Sequence, residues 1–442
     1  MRVFEDLQGI DPVAVYGRVA QAVGTVIEGY GPISSIGEVC EIRSGDDHDG
    51  IFAEVVGFRG ERILLMPLGD VRGIGPGSRL IPHGAPASVP IGHGLLGRVI
   101  DGLGRPLDGL GPLGPGRAYS LYAEPMNPLR RTRITEPLDL GIRAINGLLT
   151  CGRGQKVGIF SGSGVGKSVV LGMISRYTEA DVNVIALIGE RGREVKEFLE
   201  KDLTAEGLRR SVVVVATSDQ PPLVRIRGAF LATAIGEFFR DAGLRVLLLM
   251  DSLTRLAQAQ RQVGLAIGEP PTTKGYPPSV FAMLPRILER VGGCEGGGSL
   301  TGLYTVLVEG DDLTDPIADA ARSILDGHIV LSRELASQGQ YPAIDVLNSL
   351  SRVMPDIVTK EQQSYARHVV ELLSAYKRAE DLINLGAYKA GTSSRIDLAI
   401  RMHDPIREFL RQDVSERAPF TQSLEALSLL VQGPTEGLRG LV

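Results

Sequence analysis

The sequence predicts an α/β protein of three parts: a small N-terminal β-barrel, a central domain with a parallel sheet and a C-terminal helical domain. Three observations support this prediction. Short β-rich runs fill residues 24–93, apolar runs alternate with helical patterns over residues 141–354, and helical periodicity follows Pro355. The first pattern is typical of a small barrel and the second of βαβ units. At 442 residues the chain is also too long for one compact core.

The barrel is expected within residues 1–92. Its predicted strands fall in runs that turn residues separate about every 8–12 positions: GTVIEGYG, GEVCEIRS, IFAEVVGF, ERILLMPL, SRLIPHG and ASVPIG. A connector rich in glycine and proline follows, LLGRVIDGLGRPLDGLGPLGPGRAYS. These two residue types oppose long regular elements, so the connector is predicted to be a structured loop.

The central domain is expected over residues 93–358. Strands that consist almost wholly of Val, Leu and Ile are typically buried on both faces of a parallel sheet. The predicted strands of this kind are Lys156–Phe160, Val182–Ile188, Val212–Ala216, Val246–Met250 and Tyr304–Val308. Residues 359–442 are expected to be helical, because apolar residues recur there at three- and four-residue spacing. The predicted helices are Glu361–Leu385, Asp404–Gln412 and Thr421–Val431.

The composition indicates a globular protein of the cytoplasm. Hydrophobic residues make up 43% and charged residues 22%, which is ordinary for a soluble chain. No apolar run approaches the roughly 20 residues that span a bilayer, and the N-terminus lacks the apolar segment of a signal peptide. The net charge of −5 argues against a dedicated nucleic-acid binder. Cys40, Cys151 and Cys294 lie far apart and are expected to be reduced thiols without zinc.

The clearest chemical signal is the segment Ser161–Ser168, SGSGVGKS. It follows the predicted strand KVGIF and opens a helix predicted over Ser168–Arg176, which is the setting of a phosphate-binding loop. Backbone N–H groups of such a loop surround the phosphates of ATP, while Lys167 neutralises phosphate charge and the Ser168 hydroxyl binds Mg²⁺. The residues expected to contact the nucleotide are Gly162, Ser163, Gly164, Val165, Gly166, Lys167, Ser168 and Val169.

The loop departs from the strict motif at one position. The motif begins with glycine, and Ser161 stands in that place. The alternative interpretation is an ordinary glycine-rich turn before a helix.

Two acidic residues follow predicted strands, at the edge of the sheet where α/β proteins bind ligands. Asp251 ends the run VLLLM and is predicted to hold Mg²⁺ through water. It is also a candidate N-cap of the next helix, and the two roles are compatible. Glu190 ends the run VNVIALIGE and is predicted to orient the water that attacks the γ-phosphate.

The arginines near these residues have two possible roles. Arg191 and Arg193 either contact phosphate or pair with the nearby Glu194 and Glu197. Arg352 lies far from the phosphate-binding loop in sequence, and by itself it reads as a surface charge. The residue pattern therefore assigns no role to Arg352.

Longer strings resemble the α and β subunits of rotary ATP synthases from Gly24 to the C-terminus: FSGSGVGKS, IGERGREV, LLLMDSLTR, IGEPPTTKGYPPSVF, EGDDLTDPIAD, LDGHIVLSR and YPAIDVLNSLSR. The segment Pro342–Ser351 looks like the signature of that superfamily. Within it, the chain most resembles the flagellar type III secretion export ATPases. It has SGSGVGKS where β subunits have a GGAGVGKT-like loop, it lacks their acidic DELSEED-like segment, and it has Glu190 where non-catalytic α subunits have glutamine.

The resemblance implies a RecA-like P-loop ATPase domain between the barrel and the helical domain. It implies ATP hydrolysis that energises or assists flagellar protein export, through unfolding and delivery of export substrates and release of chaperones. Arg352 matches an arginine finger that reaches the neighbouring subunit's site, and Arg191 matches a γ-phosphate contact. Tyr341 matches an aromatic that stacks on adenine, and Val414 falls where a second adenine contact is expected. The loop Glu269–Pro278 matches the part that faces a central stalk.

The same resemblance implies the partners. They are a homohexamer of this chain, a stator-like regulator at the N-terminus, a central-stalk coiled-coil protein, and the export gate, chaperones and export substrates. No nucleic acid is expected. The protein is expected to be cytoplasmic and peripheral at the inner face of the bacterial cytoplasmic membrane. The segment for the regulator is short, with Val3, Phe4 and Leu7 as its apolar residues.

Three alternatives stay open. Virulence-injectisome ATPases share much of the same sequence. An ion-translocating rotary synthase subunit would need a second subunit type for its activity. An RNA-dependent helicase ring such as the terminator Rho would need an aromatic-rich RNA-binding surface, yet the aromatic residues between Gly24 and His93 are Tyr30, Phe52 and Phe58.

Overall fold

An antiparallel closed barrel forms the N-terminal part of the computed structural model, which describes residues 15–44, 50–308, 310 and 314–433. Its strands are β1 (Gly17–Val23), β2 (Val26–Tyr30), β3 (Glu38–Arg43), β4 (Ile51–Arg59), β5 (Arg62–Pro67) and β6 (Arg79–Pro86). Their order is β1-β2-β5-β4-β3-β6, and β6 closes onto β1. Apolar side chains fill the interior: Val19, Ile27, Cys40, Ile42, Ala53, Val55, Ile63, Leu65 and Leu80.

The barrel confirms the sequence prediction but differs in two details. Its first strand begins at Gly17, before Gly24, because the run GRVAQAV mixes polar and small residues and gives a weak strand signal. The run ASVPIG lies outside the barrel: β7 (Ser88–Ile91) pairs with β9 (Arg117–Ser120) of the connector. The connector also contributes β8 (Val99–Asp101) to the large sheet. The connector strands β8 and β9 are too short to leave a periodic pattern in the sequence.

The central domain is built on one large, mostly parallel sheet. Its remaining strands are β10 (Lys156–Ser161), β11 (Val182–Ile188), β12 (Ser211–Ala216), β13 (Arg245–Asp251), β14 (Gly292–Gly293), β15 (Ser299–Leu307), β16 (Gly327–Leu331) and β17 (Ile344–Ser351). The order is β17-β16-β10-β15-β13-β11-β12-β8, with β14 beside β15. Within this order only β17 runs antiparallel to its neighbour. The predicted strands are confirmed, although β15 begins well before Tyr304, at Ser299.

Helices cover both faces of the sheet, as expected for strands whose residues alternate between two apolar cores. They are α1 (Arg143–Leu148), α2 (Lys167–Tyr177), α3 (Gly192–Glu197), α4 (Thr204–Arg209), α5 (Pro222–Asp241), α6 (Leu253–Ile267), α7 (Pro278–Leu288), α8 (Pro316–Ile324), α9 (Arg333–Ser337) and α10 (Met354–Ile357). One core takes Val184, Val214 and Leu248 from neighbouring strands, and the other takes Ile185, Val213 and Leu249.

The C-terminal domain is helical, as predicted. It consists of α11 (Lys360–Asn384), α12 (Ser394–Leu410) and α13 (Phe420–Gln432). The predicted start of α12 at Asp404 was wrong, because Pro405 lies inside the helix and not at its first turn. In the described part of the chain, each helix is too short or too polar to cross a membrane.

Candidate active site

The segment 161–168 forms a phosphate-binding loop between β10 and α2. Gly164 and Gly166 have φ angles of 77° and 88°, which a side chain would disfavour. Ser161 is the last, fully buried residue of β10, and its carbonyl accepts a hydrogen bond from Val308 N at 3.0 Å. Its φ is not positive, so this position does not need glycine. The departure from the strict motif is therefore compatible with the loop.

Lys167, at the start of α2, reaches two carboxylates. Its Nζ lies 2.6 Å from Asp251 Oδ1 and 3.6 Å from Glu190 Oε1. Burial alone would lower the pKa of Lys167, but the charges of Asp251 and Glu190 outweigh it and raise this pKa. Residues at or after the carboxyl ends of three different strands thus meet beside the phosphate-binding loop, and Lys167 stays cationic there.

Glu190 is mostly buried, and its environment is suited to a base. Burial, and then the charge of Asp251, raise the pKa of Glu190 to about 7, against the opposing charge of Lys167. Its Oε1 is buried and accepts no hydrogen bond from the described residues. A buried acceptor without a donor costs free energy, so the site suits an ordered water molecule at this oxygen.

Asp251 ends β13, and its Oδ1 accepts hydrogen bonds from Lys167 Nζ and from Thr305 Oγ1, both at 2.6 Å. The alternative role of Asp251 as an N-cap was wrong. The cap of α6 is Ser252, whose Oγ accepts from Arg255 N at 3.3 Å. The Asp251 side chain therefore does not cap the N-terminus of α6.

The side-chain oxygen atoms of Ser168 and Asp251 are suitable ligands for Mg²⁺. Ser168 is exposed in the first turn of α2, in the wall of the cavity at the loop, and Asp251 lies against Lys167 of the same turn. The described residues contain no cluster of three or more His, Cys, Asp or Glu side chains that would hold a metal ion by themselves. Mg²⁺ suits such a site, because it usually binds to one or two protein oxygens together with waters and substrate phosphates.

A cavity of about 340 Å³ opens at the loop, and the arginines differ in their relation to it. Arg191 lines the cavity and pairs with Glu194 at 3.7 Å. Arg193 is outside the cavity lining and pairs with Glu197 at 3.1 Å. The structure therefore favours ion pairing for Arg193. Arg191 pairs with Glu194 and also lines the cavity, so both of its predicted roles remain compatible with the structure.

Arg255, which was not predicted from the sequence as a site residue, also lines this cavity. It lies in the first turn of α6; its Nη1 donates to Gln258 Oε1 at 3.1 Å, and its Nε is buried without an acceptor among the described residues. Arg255 is the third residue of the helix that begins two residues after Asp251, so the short spacing in DSLTR keeps it near the carboxyl end of β13. That spacing was the signal that could have identified it.

The two residues expected at adenine both lie beside α2. A Cβ placed on Gly166 would be 3.7 Å from the ring of Tyr341, so that ring lies against the end of the phosphate loop. The Val414 carbonyl accepts from Arg176 Nη2 and from Tyr177 OH, each at 2.9 Å. Tyr341 is 48% exposed and Val414 is 42% exposed. Both side chains are thus accessible to a ligand.

Arg352 is not brought to the phosphate loop of its own chain. It directly follows β17, and its backbone N–H donates to Asp326 O at 3.0 Å, while Asp326 N donates to Lys156 O. Lys156 is the first residue of β10, whereas the phosphate loop follows the last. The Arg352 side chain is exposed and makes no ion pair with another residue of the described ranges.

This fold and site define a P-loop nucleoside triphosphatase. Family models match three consecutive segments: the β-barrel domain of the ATP synthase alpha/beta family (residues 19–84), its nucleotide-binding domain (141–351) and the T3SS EscN ATPase C-terminal domain (358–428). The chain belongs to the ATP synthase alpha/beta family, in the branch of flagellum-specific ATP synthases and type III secretion ATPases. The resemblance and the fold class predicted from the sequence are confirmed.

Relatives in this branch match over nearly the whole chain. The flagellum-specific ATP synthase of Bacillus subtilis is 55% identical over 417 residues, covering 94% of this chain and 95% of the relative. That of Salmonella typhimurium is 53% identical, with 94% and 93% covered. The type 3 secretion system ATPase of Xanthomonas euvesicatoria is 51% identical, with 93% of each chain covered.

Solved structures show the same architecture. The assembled ATPase EscN of the enteropathogenic E. coli type III secretion system has a TM-score of 0.88 and 45% identity, with 94% of this chain and 100% of that chain covered. EscN in complex with its central stalk EscO gives a TM-score of 0.87, also at 45% identity and the same coverage.

Proposed function

We propose that the chain hydrolyses Mg²⁺-ATP as a homohexamer and that this hydrolysis energises flagellar type III protein export. Export here includes the unfolding and delivery of export substrates and the release of chaperones. The observation that carries the ATPase assignment is the convergence of Lys167, Glu190 and Asp251 at the phosphate loop, with Lys167 Nζ 2.6 Å from one carboxylate and 3.6 Å from the other. Family membership carries the assignment to export.

Hydrolysis needs a positioned water and compensation of phosphate charge. Glu190, with a pKa of about 7, orients the attacking water and accepts its proton. Lys167 and the backbone N–H groups of residues 162–168 stabilise charge on the phosphoryl group that is transferred. Ser168 and, through water, Asp251 would hold Mg²⁺, which supplies further neutralisation of phosphate charge when bound. Arg191 lines the cavity beside them and contacts the γ-phosphate in this proposal.

The place of Arg352 supports action in the neighbouring subunit. The distance along β10 from Lys156 to Ser161 is about 16 Å at 3.3 Å per residue, which is longer than an arginine side chain. Arg352 lies near Lys156 and therefore cannot serve the phosphate loop of its own chain. It follows β17, the edge strand of the sheet, so it is free to face another copy. A ring of identical chains then supplies each site with one Arg352.

The partners and location extend the proposal. We take residues 1–92, 93–358 and 359–442 as the three functional parts. The loop Glu269–Pro278 is proposed to face a central stalk, as a relative was solved in complex with its central stalk. The regulator is proposed to bind at the N-terminus, where Val3, Phe4 and Leu7 lie outside the described residues. We also propose that the ring interacts with the export gate, chaperones and export substrates. This interaction would hold it at the inner face of the cytoplasmic membrane.

A genetic experiment tests the export assignment. Deletion of the gene in its own organism should stop secretion of flagellin into the medium, and the intact gene should restore secretion whereas the Lys167→Ala gene should not. The injectisome alternative is favoured by the 51% identity to a type 3 secretion system ATPase and by the similarity to EscN. Normal flagellin secretion with lost effector secretion would establish that alternative.

A further inference from the structure

The carboxylate of Asp251 is held by a second donor, Thr305. This residue lies in β15, the strand between β10 and β13 in the sheet. Its side chain is fully buried, and its Oγ1 lies 2.6 Å from Asp251 Oδ1 and 3.4 Å from the Met250 carbonyl. An ionised carboxylate only accepts hydrogen bonds, so the Thr305 hydroxyl donates to it. The short distance is typical of a hydrogen bond from a hydroxyl to a charged oxygen.

Lys167 and Thr305 share this one oxygen, and their roles differ. Our proposed function requires Lys167 Nζ to move to the phosphates of ATP, which takes it away from Asp251 Oδ1. Thr305 cannot move in this way, because it sits in a buried strand paired on both sides. The Thr305 hydroxyl is then the donor that stays on Oδ1 and keeps the carboxylate from rotating.

A second threonine, Thr254, connects α6 to the same end of β15. Thr254, in the first turn of α6, accepts from Leu307 N at 2.8 Å through its Oγ1. Leu307 lies two residues beyond Thr305 on the same strand. The end of β15 is therefore tied both to Asp251 and to the helix that follows Asp251, so the position of Thr305 relative to that carboxylate is well defined.

We propose that Thr305 is a positioning residue that fixes the rotamer of Asp251 and thereby sets the affinity of the site for Mg²⁺. The proposal rests on the proposed ATPase function. Residues that orient a metal-holding group typically contribute about 10- to 100-fold to metal affinity. Because Asp251 is expected to hold Mg²⁺ through water, we expect about a 10-fold effect, at the lower end of that range.

The experiment is equilibrium binding of a fluorescent ATP analogue to the full-length protein, titrated with Mg²⁺ and repeated in EDTA. Thr305→Val keeps the shape of the side chain and removes the hydroxyl. It should raise the half-saturating Mg²⁺ concentration about 10-fold and leave binding in EDTA unchanged. Thr305→Ser retains the hydroxyl and should restore the Mg²⁺ dependence of the wild type.

Thr301→Val is the matched control. Thr301 is also buried in β15, but its Oγ1 accepts from Gly154 N at 2.8 Å, and Gly154 precedes β10 at the end remote from the phosphate loop. This variant should keep the Mg²⁺ dependence of the wild type. If Thr305→Val does not fold, Thr305→Ala takes its place in the same comparison.

Two results would overturn the proposal. One is a Thr305→Val protein with the Mg²⁺ dependence of the wild type, which would mean that the hydroxyl merely satisfies its own hydrogen bond. The other is an equal loss of binding with and without Mg²⁺, which would indicate a damaged phosphate loop. Failure of the proposed function is distinguishable from both, because it would appear in the wild-type protein itself, as absent hydrolysis of Mg²⁺-ATP in a steady-state assay.

Discussion

Arg227 of α5 binds Glu54 of the barrel strand β4 with an Nη1–Oε2 distance of 2.5 Å, although both side chains are buried. Tyr122 OH adds a hydrogen bond to Glu54 Oε1 at 3.1 Å. Burial raises the pKa of Glu54, against the opposing effects of Arg227 and Tyr122. Since α5 packs on the central sheet, this pair joins the barrel to the domain that carries the phosphate loop.

Arg227→Met should destabilise the protein strongly, because it leaves the Glu54 carboxylate buried without its cation. We expect the free energy of unfolding to fall by about 3–5 kcal/mol at neutral pH. The loss should shrink as pH falls, since Glu54 then has a raised pKa in the folded state and its protonated form carries no charge to bury. Chemical denaturation at several pH values measures this. The double variant Glu54→Gln with Arg227→Met should be more stable than Arg227→Met alone; equal stability would contradict the role of the charge.

Lys167→Ala should abolish ATP turnover and leave the fold intact. Lys167 is the cation at the mouth of the phosphate loop, whereas the loop itself is built from backbone conformation. Loss of one preorganised charge contact costs about 10²–10³-fold in rate. Steady-state ATPase assays and circular dichroism together check the prediction. Turnover near the wild-type rate would refute the assignment of the site.

Glu190→Gln should still bind Mg²⁺-ATP but turn it over about 10²- to 10⁴-fold more slowly, because the amide cannot accept a proton from water. The pKa of Glu190 near 7 adds a pH dependence. Below pH 7 the carboxyl of the free enzyme is protonated and inactive as a base, so wild-type kcat/KM should rise as pH increases through about 7. Measurement of kcat/KM from pH 5.5 to 8.5 tests this. A variant that keeps the same rise would assign it to another group.

Arg352→Ala should bind ATP nearly normally and lose about 10³- to 10⁵-fold in turnover, as expected for an arginine finger. If Arg352 acts in the neighbouring subunit, mixed rings of Arg352→Ala and Lys167→Ala chains should regain activity. In such a ring, an intact Arg352 faces an intact Lys167 at some interfaces. The assay is single-site turnover, with labelled subunits to verify mixing. Verified mixed rings without any regained activity would exclude action between subunits.

The sequence predicted the residues that end strands and missed those that depend on packing. Lys167, Glu190 and Asp251 each follow an apolar run, and the carboxyl ends of parallel strands meet at one edge of the sheet. Thr305 lies inside the run YTVLV, where a threonine reads as an ordinary strand residue. Its proposed role depends on β15 lying beside β13, and that order is not encoded in local sequence.

Arg352 is a second residue whose role could not be predicted from the sequence pattern alone. Taken without the family resemblance, Arg352 is predicted to be a surface charge. The structure does place it on the surface, directly after the edge strand β17. Only the sheet order reveals that the phosphate loop of its own chain is out of reach. The predicted role of Arg352 as an arginine finger came from the resemblance to a family, and neither its residue type nor its spacing indicates that role.

If Arg352 acts in the neighbouring subunit, as we propose, the edge position of β17 also makes ATPase activity depend on protein concentration. A copy that meets no other copy has a phosphate loop but lacks the arginine that completes it, so its specific activity should fall on dilution while its affinity for nucleotide stays the same. Activity per chain then rises steeply with the number of chains present, without any modification or inhibitor. Under this proposal, ATP would be consumed mainly where copies of the chain accumulate, and separate chains would hydrolyse little of it.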